Sequence, residues 1–195
     1  MKKIHALFLC VAWLLCMLTL SALAADYVYY ENDFSDVTTL SDFTQYRGKW
    51  EIVDGQLTLT GLGDLQMSDQ AFLLFTKDAG VANLTDYTLE VDMMNIQTQA
   101  GPLFRCDPAK ASSETNNSFY GSFTGERGAL GRGNLLGDYA GNIKVSDVIL
   151  SPGMNIHLKV DAVGKSITYV ISDLDTGSEL WNYTTENDEW AMGSF

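Results

Sequence analysis

The sequence predicts an all-β domain arranged as a two-sheet antiparallel sandwich. Three observations carry that reading. Apolar and polar side chains alternate with a period of two through residues 87–95, 155–161 and 166–172, which is the periodicity of half-buried strands. Turn-forming clusters separate such runs at short intervals, and the chain has only three prolines. Helical spacing of apolar residues is almost absent from residue 27 onward.

The N-terminal residues stand apart from the fold. Lys2 and Lys3 precede an apolar run over 6–20, and Ala22-Leu23-Ala24 offers small residues at a cleavage spacing. This is the pattern of a secretory signal peptide over residues 1–24, cut after Ala24 or Ala25. The run is short for a bilayer span of about 20 residues. The expectation is therefore a secreted or cell-surface protein with no membrane insertion after cleavage. No cysteine follows the cleavage site, which argues against a lipid anchor.

Cleavage changes the chemistry that remains. Cys10 and Cys16 leave with the leader, so Cys106 stays as the lone cysteine and no internal disulfide can form. Without Lys2 and Lys3, 10 of the 12 basic residues face 25 acidic ones, a net charge near −15. Such a surface repels nucleic acid and anionic lipid headgroups, leaving neutral partners such as glycans, or cations. Residues 25–195 form one domain, since a chain of that size buries roughly 70% of its unfolded surface.

The stretch KWEIVDGQLTLTG, residues 49–61, reads as a hairpin. Asp54-Gly55 suits a two-residue type I′ turn, where both central residues need positive φ. Val53 then pairs with Gln56, Ile52 with Leu57, Glu51 with Thr58 and Trp50 with Leu59. That register puts Trp50, Ile52, Leu57 and Leu59 on one face, and a one-residue slip would scramble it. Residues 38–43 and 81–84 are each long enough for a single helical turn. Further on, Tyr87, Leu89, Val91 and Met93 point inward, as do Ile156, Leu158 and Val160, then Ile167, Tyr169 and Ile171. Residues 161–165 connect two of these strands, and Asp173 to Ser178 turns the chain into a further strand over 179–183.

The order of ENDFSD, GKWEIVDGQLTLTG, FLLFTKDAGVANLTDYTLEVDMM, AGPLFRCD, NNSFYGSF and MNIHLKVDAVGKSITYVI resembles the concanavalin A-like jelly-roll superfamily. Within it, the chain looks like laminin-G-like modules of secreted bacterial glycosidases. It resembles the fructan-binding module of exo-levanases and the 3-keto-disaccharide hydrolase family. The shared features are core and turn motifs across nearly the whole mature chain. They imply a jelly roll far more firmly than any one function.

Most catalytic schemes fail on the residues themselves. Jelly-roll β-glucanases carry two glutamates in E-x-D-x-E, but Glu90-Val91-Asp92-Met93-Met94 ends in a side chain that cannot exchange a proton. His157 and Cys106 are the only mature residues of their kinds, too few for a His/Cys zinc cluster. His157 lies on an outward strand face, as a solvated or hydrogen-bonded histidine would. The glycine-rich stretch 121–141 lacks a phosphate-loop pattern and reads as turns, bulges and close backbone packing. Asp173-Leu174-Asp175-Thr176-Gly177 reads as an Asx turn and lacks the EF-hand pattern. Sequons at Asn83, Asn116 and Asn182 are chance occurrences beside a leader of bacterial type.

What survives is a sugar-binding set. If Phe104 faces the core, Leu103, Arg105 and Asp107 turn to the opposite face. If Phe119 and Phe123 face the core, Tyr120 and Ser122 turn the same way. Arg105, Asp107 and Tyr120 would then share one exposed face, supplying bidentate hydrogen bonding and a ring to stack on. The alternative use of Arg105 is a surface ion pair with Asp107 or Glu126. The expectation is a non-catalytic carbohydrate-binding module of a bacterial surface or glycan-degrading protein. Two rivals remain: a glycoside hydrolase or lyase of the keto-sugar type using Glu90, Asp92 and His157, and an adhesive module that binds protein. No cofactor is expected except calcium, which related jelly rolls often bind where their terminal strands meet, and for which Glu31, Asp33 and Asp36 offer oxygens. The jelly-roll resemblance also predicts that Gly193 opens a strand, that 27–34 forms an edge, and that the natural gene continues beyond Phe195.

Overall fold

The computed structural model describes residues 27–63, 71–97, 100–106, 118–123, 127–133, 139–187, 193 and 195. Contacts divide the chain into two units, Met1–Asp33 and Phe34–Phe195. In the first unit, residues 27–33 form no strand, contrary to expectation. Tyr27 and Tyr29 meet edge to face at 6.5 Å, and Asn32 donates to the Tyr30 hydroxyl at 2.7 Å.

The second unit begins with Phe34 at φ 56°, a turn away from extended geometry. A 3₁₀ turn over Val37–Asp42 follows, where a single helical turn is expected. Its cap is Asp36, whose carboxylate accepts from the Thr38 amide at 2.9 Å and the Thr38 hydroxyl at 2.8 Å. These bonds hold the Asp36 carboxyl below the usual carboxylate range. The second 3₁₀ turn, Ala79–Asn83, is capped in the same way by Asp78.

Strands β1 (Phe43–Arg47) and β4 (Phe72–Phe75) form one antiparallel pair. Strands β2 (Lys49–Val53) and β3 (Gln56–Gly61) form another, in the expected register from Val53–Gln56 to Trp50–Leu59. Asp54 and Gly55 both have positive φ, 52° and 73°, as a type I′ turn requires. The hairpin is its own two-stranded sheet, so its apolar face is covered only in part, and Leu59 remains 39% exposed.

The sandwich comprises two four-stranded antiparallel sheets. The first takes β5 (Tyr87–Ile96), β10 (Met154–Val163), β11 (Ser166–Asp173) and β12 (Glu179–Glu186), in the order β12-β11-β10-β5. The second takes β6 (Leu103–Phe104), β7 (Ser118–Phe123), β8 (Arg127–Gly133) and β9 (Tyr139–Ile149), in chain order. The alternation read from sequence holds. Ile156, Leu158, Val160, Ile167, Tyr169 and Ile171 are buried against Phe104, Leu130 and Leu150. The β10–β11 connection is tighter than expected: pairing runs on to Val163–Ser166, leaving Gly164-Lys165 as a two-residue turn with Gly164 at φ 55°.

Along one side, β8 and β9 approach the first sheet at Gly128. A Cβ there would collide with the end of the Ile171 side chain and touch the Trp181 ring, so any other residue forces Ile171 to move. The β9 register slips opposite Gly128, and the buried Ser146 hydroxyl accepts from its amide at 3.2 Å and donates to the Val148 carbonyl at 3.0 Å. This is the close packing expected of the glycine-rich stretch. A line of rings, Phe34–Phe43–Phe75–Phe195–Tyr87, with centroids 5.3–6.3 Å apart, ties the β1–β4 pair to β5. Gly193 and Phe195 lie in no strand; the Phe195 carbonyl accepts from the Phe75 amide at 2.9 Å.

The Gly55→Val variant should lose about 1 kcal/mol or more of stability. No atom lies within 4 Å of a Cβ at Gly55, so the loss would be backbone strain with no steric part. Thermal melting measures it, and an unchanged midpoint would contradict the turn geometry.

Candidate functional site

Of the residues singled out for sugar binding, Arg105 does not lie where the alternation implies. Strand β6 ends at Phe104, and Arg105 takes φ 49°. That left-handed residue breaks the period of two, so strand parity no longer says where Arg105 points. It turns inward: Arg105 has 0% exposure and is the largest fully buried side chain among the described residues. Its placement on an exposed face is therefore corrected.

The surroundings of Arg105 explain the burial. Its Nη2 donates to the Gly164 carbonyl at 2.7 Å and to the Thr85 carbonyl at 3.1 Å. Its amide donates to the Tyr87 hydroxyl at 2.8 Å. The Asp86 carboxylate accepts from the Gly164 amide at 2.7 Å, fixing the carbonyl that Arg105 reads. Burial pushes the Tyr87 phenol well above its ordinary value, so it stays protonated. The guanidinium thus fastens the end of β6 to the start of β5 and to the β10–β11 turn.

Leu103 packs against Phe72, Leu74 and Cys106, so this end of its face is interior. Register sets Tyr120 opposite Leu103 and Phe119 opposite Phe104. Asp107 lies outside the described residues, as does Glu126, and so do the surroundings of the Tyr120 side chain. Nothing in the sequence marked Thr85 or Gly164 as partners of Arg105, because backbone carbonyls leave no side-chain signature.

Two residues of the enzymatic alternative, His157 and Asp92, do meet. On the outer face of the first sheet, His157 Nδ1 lies 2.7 Å from Asp92 Oδ1 across β5 and β10. Lys159 lies between Glu90 at 3.7 Å and Asp161 at 3.5 Å, and Asp161 accepts from the Thr88 hydroxyl. His157 is hydrogen-bonded on an outward face, as expected. This is an open polar ladder on a regular sheet.

Metal ligation finds little here. Among the described residues, no group of three His, Cys, Asp or Glu side chains could hold an ion. Asp36 caps its 3₁₀ turn, and Asp173 forms the expected Asx turn by accepting from the Thr176 amide at 2.8 Å. Cys106 is fully buried, and burial pushes its thiol far up, away from the reactive thiolate.

Two outcomes test these assignments. Arg105→Lys should cost roughly 2–4 kcal/mol, because one ammonium cannot reproduce the fork and buried carbonyls lose a charged donor. Chemical denaturation measures it; an unchanged midpoint would mean that the guanidinium does not hold the seam. Cys106 should resist a disulfide reagent in the native protein and react fully once denaturant is added. Prompt native reaction would contradict its burial.

Neither a known protein family nor a curated protein sequence matches the chain. Among solved structures, the fold is similar to the carbohydrate-binding module CBM66 from Bacillus subtilis, with a TM-score of 0.59 and 17% sequence identity. The similarity covers 79% of this chain and 84% of that one. At this identity, what the two proteins share is the fold: an all-β sandwich.

Proposed function

We propose that this chain is an exported, non-catalytic carbohydrate-binding module, part of a bacterial surface or glycan-degrading protein. The observation that carries the reading is the likeness in fold to a carbohydrate-binding module over most of both chains. The sequence supports it independently: the leader is of export type, and the strongly acidic mature chain disfavours polyanionic partners while tolerating neutral glycans.

Within this reading, Asp107 and Tyr120 are the sugar contacts, one accepting hydrogen bonds from hydroxyls and the other offering a ring. Arg105 has a different part. It anchors the chain two residues before Asp107, and so positions the segment without touching the ligand.

The glycoside hydrolase or lyase of the keto-sugar type is favoured by one observation, the 2.7 Å contact between His157 and Asp92. That pair could hold and move a proton.

A glycan array followed by calorimetry on the domain decides between them. Tyr120→Ala should weaken the affinity by about 1–3 kcal/mol while leaving the melting temperature nearly unchanged. Failure to bind any glycan would refute the module. Turnover of a sugar substrate that is lost in a His157→Ala variant would establish the enzyme instead.

A further inference from the structure

Asp54-Gly55 is the only Asp-Gly pair in the sequence, and Asn-Gly does not occur. The structure sets it at the exposed tip of the β2–β3 hairpin, outside the ladder, which closes at Val53–Gln56. Gly55 has no side chain, and a Cβ built on it would meet nothing within 4 Å apart from its chain neighbours.

Other aspartates are held differently. Asp36, Asp78, Asp86, Asp161 and Asp173 each accept a hydrogen bond that fixes the carboxylate, and Asp92 is paired with His157. Their following residues all bear side chains, which hinder approach of the next amide.

We propose that Asp54 is a site of spontaneous isoaspartate formation in the folded protein. The Gly55 amide nitrogen attacks Cγ of the protonated Asp54 carboxyl. A C–N bond forms, the Cγ–OH bond breaks, and water leaves with the amide proton, giving a five-membered succinimide. Water then adds to one of the two ring carbonyls. Opening at the main-chain carbonyl leaves the peptide running through Cγ, while opening at Cγ restores aspartate. The reaction needs no co-reactant beyond water.

Isomerisation inserts Cβ of Asp54 into the main chain. A two-residue loop with two positive φ angles cannot absorb an extra atom and keep the Val53–Gln56 closure. The modified hairpin therefore loses the register that sorts Trp50, Ile52, Leu57 and Leu59.

The test is to incubate the purified native chain at physiological temperature in mildly acidic and neutral buffer. Samples are then proteolysed, and isomers distinguished by electron-transfer fragmentation and by isoaspartyl methyltransferase labelling. The Asp54 peptide should split into two species of equal mass, with the isoaspartyl fraction rising ahead of that at any other aspartate. An Asp54→Asn variant, which keeps the turn chemistry, should pass through the same ring by losing ammonia and gain mass at that position. Isomerisation in the denatured chain but not in the native one would overturn the proposal, as would faster isomerisation at another aspartate.

Discussion

A guanidinium buried among backbone carbonyls sets how the two sheets of this sandwich meet at one side. Arg105 leaves β6 in a left-handed conformation and donates to Thr85 and Gly164, at the near ends of β5 and of the β10–β11 turn. Burying a cation is costly unless its donors find acceptors, and the Thr85 and Gly164 carbonyls supply two of them at Nη2. The neighbours follow from that choice. Asp86 holds the Gly164 amide, the Tyr87 hydroxyl takes the Arg105 amide, and Gly193 fits where a Cβ would strike the Arg105–Cys106 backbone.

The opposite side is closed by shape. Gly128 admits the Ile171 side chain, Trp181 lies alongside it, and Ser146 restores the hydrogen bond that the bulged ladder gives up. One seam thus relies on a charged fork and the other on a missing side chain. Neither involves a disulfide, and the buried Cys106 is a free thiol.

The central sheet was legible in the sequence because its strands bury one face and expose the other. Leu158 and Ile171 sit inward, and His157 and Ser172 outward, where a period of two puts them. The hairpin was legible because Asp-Gly has one cheap geometry between alternating residues. Arg105 was misplaced because parity was carried past the end of a two-residue strand, and one positive φ is enough to reverse it. The edge strand expected over 27–34 depended on the resemblance alone, with no period of two in its run of tyrosines. Strand β8 was hidden because three of its seven residues are glycines, which carry no hydropathic alternation.

Strand β12 is the last in its sheet, and its eight residues begin and end with glutamate, Glu179 and Glu186. Should a second copy add to this edge antiparallel, the register that pairs all eight residues sets each Glu179 against a Glu186. Like charges directly opposite one another destabilise a ladder. The net negative charge of the chain, −13 at pH 7, would already slow such an encounter. The two glutamates thus make the fully paired self-association of this edge unfavourable, which keeps a long backbone edge from templating aggregation.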